Sequence, residues 1–321
     1  ENMNKCLVTK LNGSVDNNAI LKLGEMRFKV TSTANPTGAS QLITFNFNKD
    51  CEVRIIGDGY ITDSNLSANK GKSIVIPANT DTDVYFSNGD YEVSIADKYS
   101  IVVFKGYSTN ASINIEDLKY SNGLTLLMSL SQKSLGDVSG LKNLVGLTSL
   151  NLSSYSCTGK LSDLSGLTAI TELNIPNSKI EGDLAEISDL ASLQILYLPA
   201  GVSGNVSSLA KMTSLTDLEA FNSVGDLSQL PANVEFTQLA SGNFTWSERP
   251  ASSKVFAINN APKISNIDKM LIDLAKCQSN ITSSTPSWRK IISATGTRTS
   301  ASDSALSTLQ SKGYTLSIAS A

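Results

Sequence analysis

A glycine recurs through the middle of this chain. Gly136, Gly159, Gly182, Gly204 and Gly225 stand 23, 23, 22 and 21 residues apart. After each one an apolar residue falls two places on, and then at every third position. The first cycle runs Val138, Leu141, Leu144, Leu147, Leu150, Leu152, and the second Leu161, Leu164, Leu167, Ile170, Leu173, Ile175. The third and fourth keep the phase, from Leu184 to Leu198 and from Val206 to Ala220. The fifth begins at Leu227 and Leu230 and decays through Asn233 toward Phe236 and Leu239. Such a period marks a solenoid, because one coil has too little apolar surface to stand alone and must stack on its neighbours.

Within a cycle two periodicities meet. Leu150 and Leu152, set among Ser149, Asn151 and Ser153, alternate as a short strand does. The preceding steps of three predict a tight, 3₁₀-like return path with one apolar edge. Stacked strands then form a parallel sheet on the concave side, with the glycines in turns on the convex side, where φ > 0 or close backbone approach is needed.

The segments LTSLNL, ITELNI and LQILYL, each followed by an xGxL turn, resemble leucine-rich repeats over roughly residues 120–245. One feature departs from that pattern. The asparagine that closes the usual motif falls at Tyr155, Ser178, Gly201 and Ser223. The resemblance therefore implies turns that lack the family's asparagine ladder and are less regular than the standard horseshoe.

Composition narrows the chemistry. Histidine is absent, which removes the commonest general base and the commonest metal ligand. A net charge of −3 with mixed signs and no basic stripe argues against nucleic acid as a partner. Cys157 falls in the column of Ile180 and Val202 and reads as a core residue; Cys277, seven after Met270, reads likewise. Whether Cys6 and Cys51 pair is left open. No run of 18 apolar residues predicts a membrane span. The start at Glu1 suggests a removed leader or a trimmed chain, and NMNKC is not a lipobox, so any lipid anchor is expected upstream.

Before the repeat, alternating runs at 26–30, 43–47, 53–56, 73–76, 84–86, 91–95 and 101–104 predict an antiparallel β-sandwich over residues 1–107. SNGDYEVSI followed by YSIVVFKGY resembles the last strands of Ig-like and PKD-like modules. The solenoid is assigned to 108–321, with regular coils over about 124–245 and helix-containing coils over 246–321. In the latter, KVFAIN and RKIISAT read as strands, Ile267, Met270, Leu271 and Leu274 as a helix face, and YTLSI as the last strand. Ser300 with Asp303 reads as a capping box for a second helix that Gly313 ends. The fold class is thus α+β, mainly β. The whole resembles surface leucine-rich-repeat proteins of gut Bacteroidetes, which implies an exported protein held at the cell surface or outer membrane.

Catalytic and metal readings find little support. Asp58 and Asp63 in GDGYITDSN, and the NTDTD run, lack the spacing of a calcium loop. Asp163, Asp183 and Asp226 read as coil-turn residues, and TSSTPS has no general base nearby. No cofactor is implied. The concave strands differ, because their outward residues have no packing duty. Asn151, Asn174, Tyr197, Glu219 and Ala240 are expected in one row. Tyr197 and Phe221 stand beside Glu172, Asp217 and Glu219 as exposed aromatics rimmed by acids, a recognition patch for protein or glycan. Trp246 and Trp288 read as core or cap residues. The sequence points to a non-catalytic binding or adhesion module with a protein partner such as a host surface protein; the alternatives are glycan binding and, further off, a glycan-processing hydrolase.

Overall fold

The computed structural model describes residues 136–152, 157–239, 242–279 and 281–320, and before them the backbone of ten strands with the side chain of Leu127. The strands preceding the repeat are β1 (Met26–Ser32), β2 (Gln41–Phe47), β3 (Val53–Gly57), β4 (Tyr60–Thr62), β5 (Lys72–Ile76), β6 (Asp81–Phe86), β7 (Val93–Ser94), β8 (Val102–Phe104), β9 (Ala111–Ile113) and β10 (Leu126–Ser129). β3-β6-β1-β9 and β4-β5-β2-β7 are two four-stranded antiparallel sheets. All seven alternating runs overlap strands. β8 pairs in parallel with β10, which pairs in register with β11 (Ser149–Asn151), Leu127 opposite Leu150. The coil phase is thus already set at Leu127. Cys6, Cys51, Asp58, Asp63 and Tyr155 lie outside the described residues. The chain divides into two compact units at Gly159 and Lys160.

In the second unit each coil contributes two strands. One set is β13 (Glu172–Asn174), β15 (Ile195–Tyr197), β17 (Asp217–Ala220), β19 (Phe236–Leu239) and β21 (Ala257–Asn259); the other is β14 (Lys179–Asp183), β16 (Val202–Asn205), β18 (Asn222–Asp226), β20 (Asn243–Thr245) and β22 (Lys263–Ile264). Each set is a parallel ladder. The second ladder corrects the sequence reading: the repeat glycines lie in or beside strands of their own, not in bare turns.

The return path between them explains the step of three. Leu161–Leu164, Leu184–Ile187 and Val206–Leu209 are 3₁₀ turns. Further i→i+3 backbone bonds continue the path, such as Leu167 N–H to Leu164 C=O at 3.1 Å and Ile170 N–H to Leu167 C=O at 3.0 Å. Three residues per turn put every third side chain on the inner edge. Accordingly Leu161, Leu164, Leu167, Ile170, Leu173, Ile175 and Ile180 are all 0% exposed, and the next coils repeat the pattern. Each buried leucine contributes about 1.5–3 kcal/mol by area removed from water.

The glycine column and the caps form one device. Gly159, Gly182, Gly204 and Gly225 have φ of 123°, 155°, 127° and 113°. Asp183, Asn205 and Asp226, at the residue after the glycine, each accept a hydrogen bond from the amide two residues on, at 2.8, 3.0 and 2.9 Å, and so cap the 3₁₀ turn. A Cβ on Gly204 would lie 2.9 Å from the Asp183 carboxylate, and one on Gly225 2.1 Å from Asn205 Oδ1. At Gly204 and Gly225 the previous coil's cap therefore occupies the space that the glycine leaves, while at Gly182 Leu161 and Glu186 fill it. Where the family asparagine is absent, the Ser178 and Ser223 hydroxyls donate back to Ile175 C=O and Ala220 C=O at 2.9 and 2.8 Å. These two turns match each other, more regular than the sequence implied.

The last coils replace 3₁₀ turns with helices α1 (Ile267–Lys276) and α2 (Asp303–Ser311). The residue capping the approach to α2 is Thr299, whose Oγ1 accepts from Ala301 N–H at 3.2 Å, rather than Ser300. Gly313, at φ 92°, ends the helix as expected. Strand β23 (Ile291–Thr295) pairs with β21 at Ile292 and with β22 at Thr295, joining the two ladders, and β24 (Thr315–Ala319) runs parallel along it. Under α1 a polar cluster is sealed into the core. Trp246 Nε1 donates to Asp273 at 3.1 Å, Lys269 Nζ reaches the same carboxylate at 2.7 Å, and the Arg249 amide at 3.2 Å. The Arg249 guanidinium, 3% exposed, donates to the carbonyls of Leu230, Pro231 and Lys254 and lies 4.7 Å over the Phe256 ring. Burial lowers its pKa to about 10.

Candidate functional site

On the β13–β21 ladder the middle residues Leu173, Leu196, Leu218, Thr237 and Ile258 point into the core at 0% exposure. The residues on either side make two outward rows. Strand pairing sets one as Glu172, Ile195, Asp217, Phe236, Ala257 and the other as Asn174, Tyr197, Glu219, Gln238, Asn259. The sequence placed Ala240 beside Glu219. The structure places Gln238 there, because the fifth coil is shortened at Pro231 and Asn233. Asn151 lies on β11 in the first unit, opposite Met128. Phe221 lies past the end of β17, in the link to β18, and not on the strand face. Glu172, Asn174, Tyr197 and Glu219 are half-buried on the outward rows.

Asp217 is the main surprise among the expected residues. It is 4% exposed, not a free rim acid. Its cover comes from residues 281–290, which the sequence left as a polar loop and the start of a strand. There the 3₁₀ turn Ser287–Lys290 follows Pro286. Arg289 forms an ion pair with Asp217 and lies 5.6 Å over the Phe236 ring and 4.9 Å over the Trp288 ring. Trp288 meets Phe236 edge-on with ring centroids 4.9 Å apart, and its carbonyl accepts from Asn259 Nδ2 at 3.3 Å. Thr216 Oγ1 donates to Asp217 at 2.7 Å. Trp288 itself is 43% exposed, which corrects its reading as core; Trp246, at 2%, is core as expected. No local signal marked Trp288 or Arg289 as surface groups, since their partners are distant in sequence.

The electrostatics of the two acids on β17 diverge. Asp217 has its counter-ion. The Glu219 carboxylate has no ion pair or hydrogen bond among the described residues, and burial raises its pKa. Tyr197 is pushed up to about 12, first by burial and then by the Asp217 carboxylate that its hydroxyl faces. At neutral pH the phenol is therefore a donor. Asn174 Oδ1 and Asn259 Oδ1 are buried acceptors that meet no donor. Such orphans are uncommon in folded proteins. Among the described residues no group of three or more His, Cys, Asp or Glu is placed to hold a metal, and no helix is long and apolar enough to cross a membrane. Cys157 and Cys277 are buried, as their columns predict.

Neither a family model nor a curated protein sequence matches the chain. Solved structures similar to it include leucine-rich-repeat proteins, and its parallel ladders fit a leucine-rich-repeat solenoid. The plant peptide hormone receptor RGFR1 in complex with RGF2 is 17% identical, with a TM-score of 0.42 over 64% of this chain and 34% of the receptor. Internalin C2 from Listeria monocytogenes is 25% identical, with a TM-score of 0.33 over 40% of this chain and 56% of that one. The protein LIC12759 of Leptospira interrogans is 15% identical, with a TM-score of 0.37 over 52% and 45%. This chain thus spans about a third of the receptor's length. These overlaps are partial, and the solenoid assignment rests on the repeat and the paired ladders.

Proposed function

We propose that this protein is a non-catalytic binding module that takes a protein partner on the concave ladder of its second unit. On this reading the two antiparallel sheets before residue 114 form a sandwich-like stalk, and the setting is an exported, cell-surface one in an adhesion role. The observation that carries it is Trp288: a large indole, 43% exposed, held in place by Phe236, Arg289 and Asn259 on a face whose strands leave alternate side chains unpacked. Rigid Trp, Tyr and Arg side chains are the groups that concentrate binding energy at protein interfaces.

The test is capture of a partner from a host-cell surface extract and from mucus glycans, followed by hydrogen exchange on the complex. Protection over residues 195–197, 217–220, 236–239 and 288–289, with capture lost in Tyr197→Ala/Trp288→Ala, supports the reading. A footprint on the β14–β22 ladder or before residue 136 overturns it. A glycan is the second reading, favoured by the exposed indole on the ladder that also carries the Gln238 amide, a stacking platform with a sugar hydroxyl partner on the same face. Selective recovery of glycan over protein decides for it.

A further inference from the structure

We propose that Glu219 receives a cation, the guanidinium of an arginine in an extended segment of the protein partner. This inference rests on the concave-face reading above and adds the chemistry of what binds there.

The argument begins with two carboxylates on one strand. Asp217 and Glu219 both face outward from β17. The protein satisfies Asp217 completely, with Arg289 as counter-ion and Thr216 as donor. It does nothing of the kind for Glu219, which sits half-buried, its carboxylate with no ion pair or hydrogen bond among the described residues. Arg289, the cation that lies over this strand, is already engaged by Asp217. Removing a carboxylate from water without a partner is costly, and such groups cluster at functional sites.

The row around Glu219 specifies the missing partner. Its neighbours are Tyr197 on one side and Gln238 on the other, and one strand beyond each lie Asn174 and Asn259 with their orphan Oδ1 atoms. Asn174 Oδ1 and Asn259 Oδ1 are themselves buried, so the acceptor of this row that a partner reaches is the Glu219 carboxylate. A ligand that fits must bring a positive charge to the centre and polar groups to the flanking Tyr197 and Gln238. Arginine supplies the first and an extended peptide the second. At roughly 4.8 Å between strands the line is about 19 Å long, the reach of about six extended residues. Arginine suits the centre better than lysine, because its planar fork matches a carboxylate and its face stacks on an aromatic ring such as Tyr197.

The experiment uses the full chain, immobilised, and two synthetic hexapeptide libraries. They are randomised alike, one with arginine and the other with citrulline at the third position. The expected result is at least about tenfold greater retention of the arginine library. That preference falls to within about twofold in Glu219→Gln and persists in Glu181→Gln, an exposed acid on the other ladder. Equal retention of both libraries by the wild type, or an unchanged preference in Glu219→Gln, overturns the proposal. A thermal melt supplies a check independent of ligand. Glu219→Gln is expected to melt at or above the wild type at pH 7, and a lower melting temperature shows that Glu219 already has an internal partner and overturns the proposal too. Should the captured partner protect the concave ladder while arginine shows no preference, only this inference falls. A footprint elsewhere removes both readings.

Discussion

Residues 160–239 and residues 246–320 stack on the same two ladders but close their coils by different means. The earlier coils return through 3₁₀ turns in which every third side chain is buried, and the polar groups left over are spent on caps. The later coils return through α1 and α2, with a buried polar cluster, Trp246–Asp273–Arg249, beneath α1. One of their connections lays Trp288 and Arg289 over Phe236 and Asp217 of the β13–β21 ladder. The regular coils supply an even surface; the irregular ones supply the groups that make one part of it distinct.

The comparison is most strongly broken by Arg249→Ala. That change strands the Leu230 and Pro231 carbonyls and is expected to cost about 3–5 kcal/mol in a denaturant titration, the loss concentrated in residues 246–320 by hydrogen exchange. Gly204→Ala strikes the regular coils instead. With φ at 127° and the new Cβ 2.9 Å from both the Asp183 carboxylate and the Leu184 amide, it is expected to cost roughly 2–3 kcal/mol in the same titration. Asp183→Ala removes only the cap and should cost about 1 kcal/mol.

Acid sharpens the contrast with opposite signs. Burial alone would raise Asp273, but hydrogen bonds from Lys269, Trp246 and the Arg249 amide outweigh it and hold the carboxyl below its ordinary value. Its stabilising contribution is present above the unfolded carboxylate range and is lost as pH falls through its folded pKa. Glu219 is raised, so its contribution is present below that range and is lost as pH climbs through its folded pKa. Melting curves from pH 3 to pH 7 should therefore show Asp273→Asn closing on the wild type as pH falls. Glu219→Gln should instead gain on the wild type as pH rises. A small effect also belongs to Trp288→Ala, which loses its contacts with Phe236 and Arg289 and should cost about 1 kcal/mol while removing partner capture.

The repeat made the solenoid legible because steric identity of successive coils writes itself into spacing. Leu161 through Ile175 are buried in the order their period gives, and the helix face at Ile267, Met270, Leu271 and Leu274 is buried too. The glycine ladder was half legible: the φ > 0 requirement follows from glycine, but the partner that fills its vacant side is one coil away. Register failed where the period changed. Pro231 and Asn233 shorten the fifth coil, so Gln238 rather than Ala240 meets Glu219. The site was the least legible part. Arg289 and Asp217 pair across 72 residues of sequence, and neither Arg–Asp pairing nor the exposure of Trp288 leaves a local trace.

The interlock between each cap and the following glycine also bears on how such a chain grows. Asp183 belongs to one coil and Gly204 to the next, so the seam between coils is a shared structure, and a copying event must preserve both halves of it. A duplicated segment cut from one glycine to the residue before the next carries its own cap forward and offers its own glycine backward. It enters the stack without a mismatched joint. A segment of equal length but a different phase is no worse, because cutting a periodic text anywhere preserves its period. Among the coils that carry the glycine, a length other than the local period of 21 to 23 residues is what fails, since it sets a side chain where a cap must lie. The lengthening of this fold is therefore quantised, and its history should be legible as whole coils gained or lost.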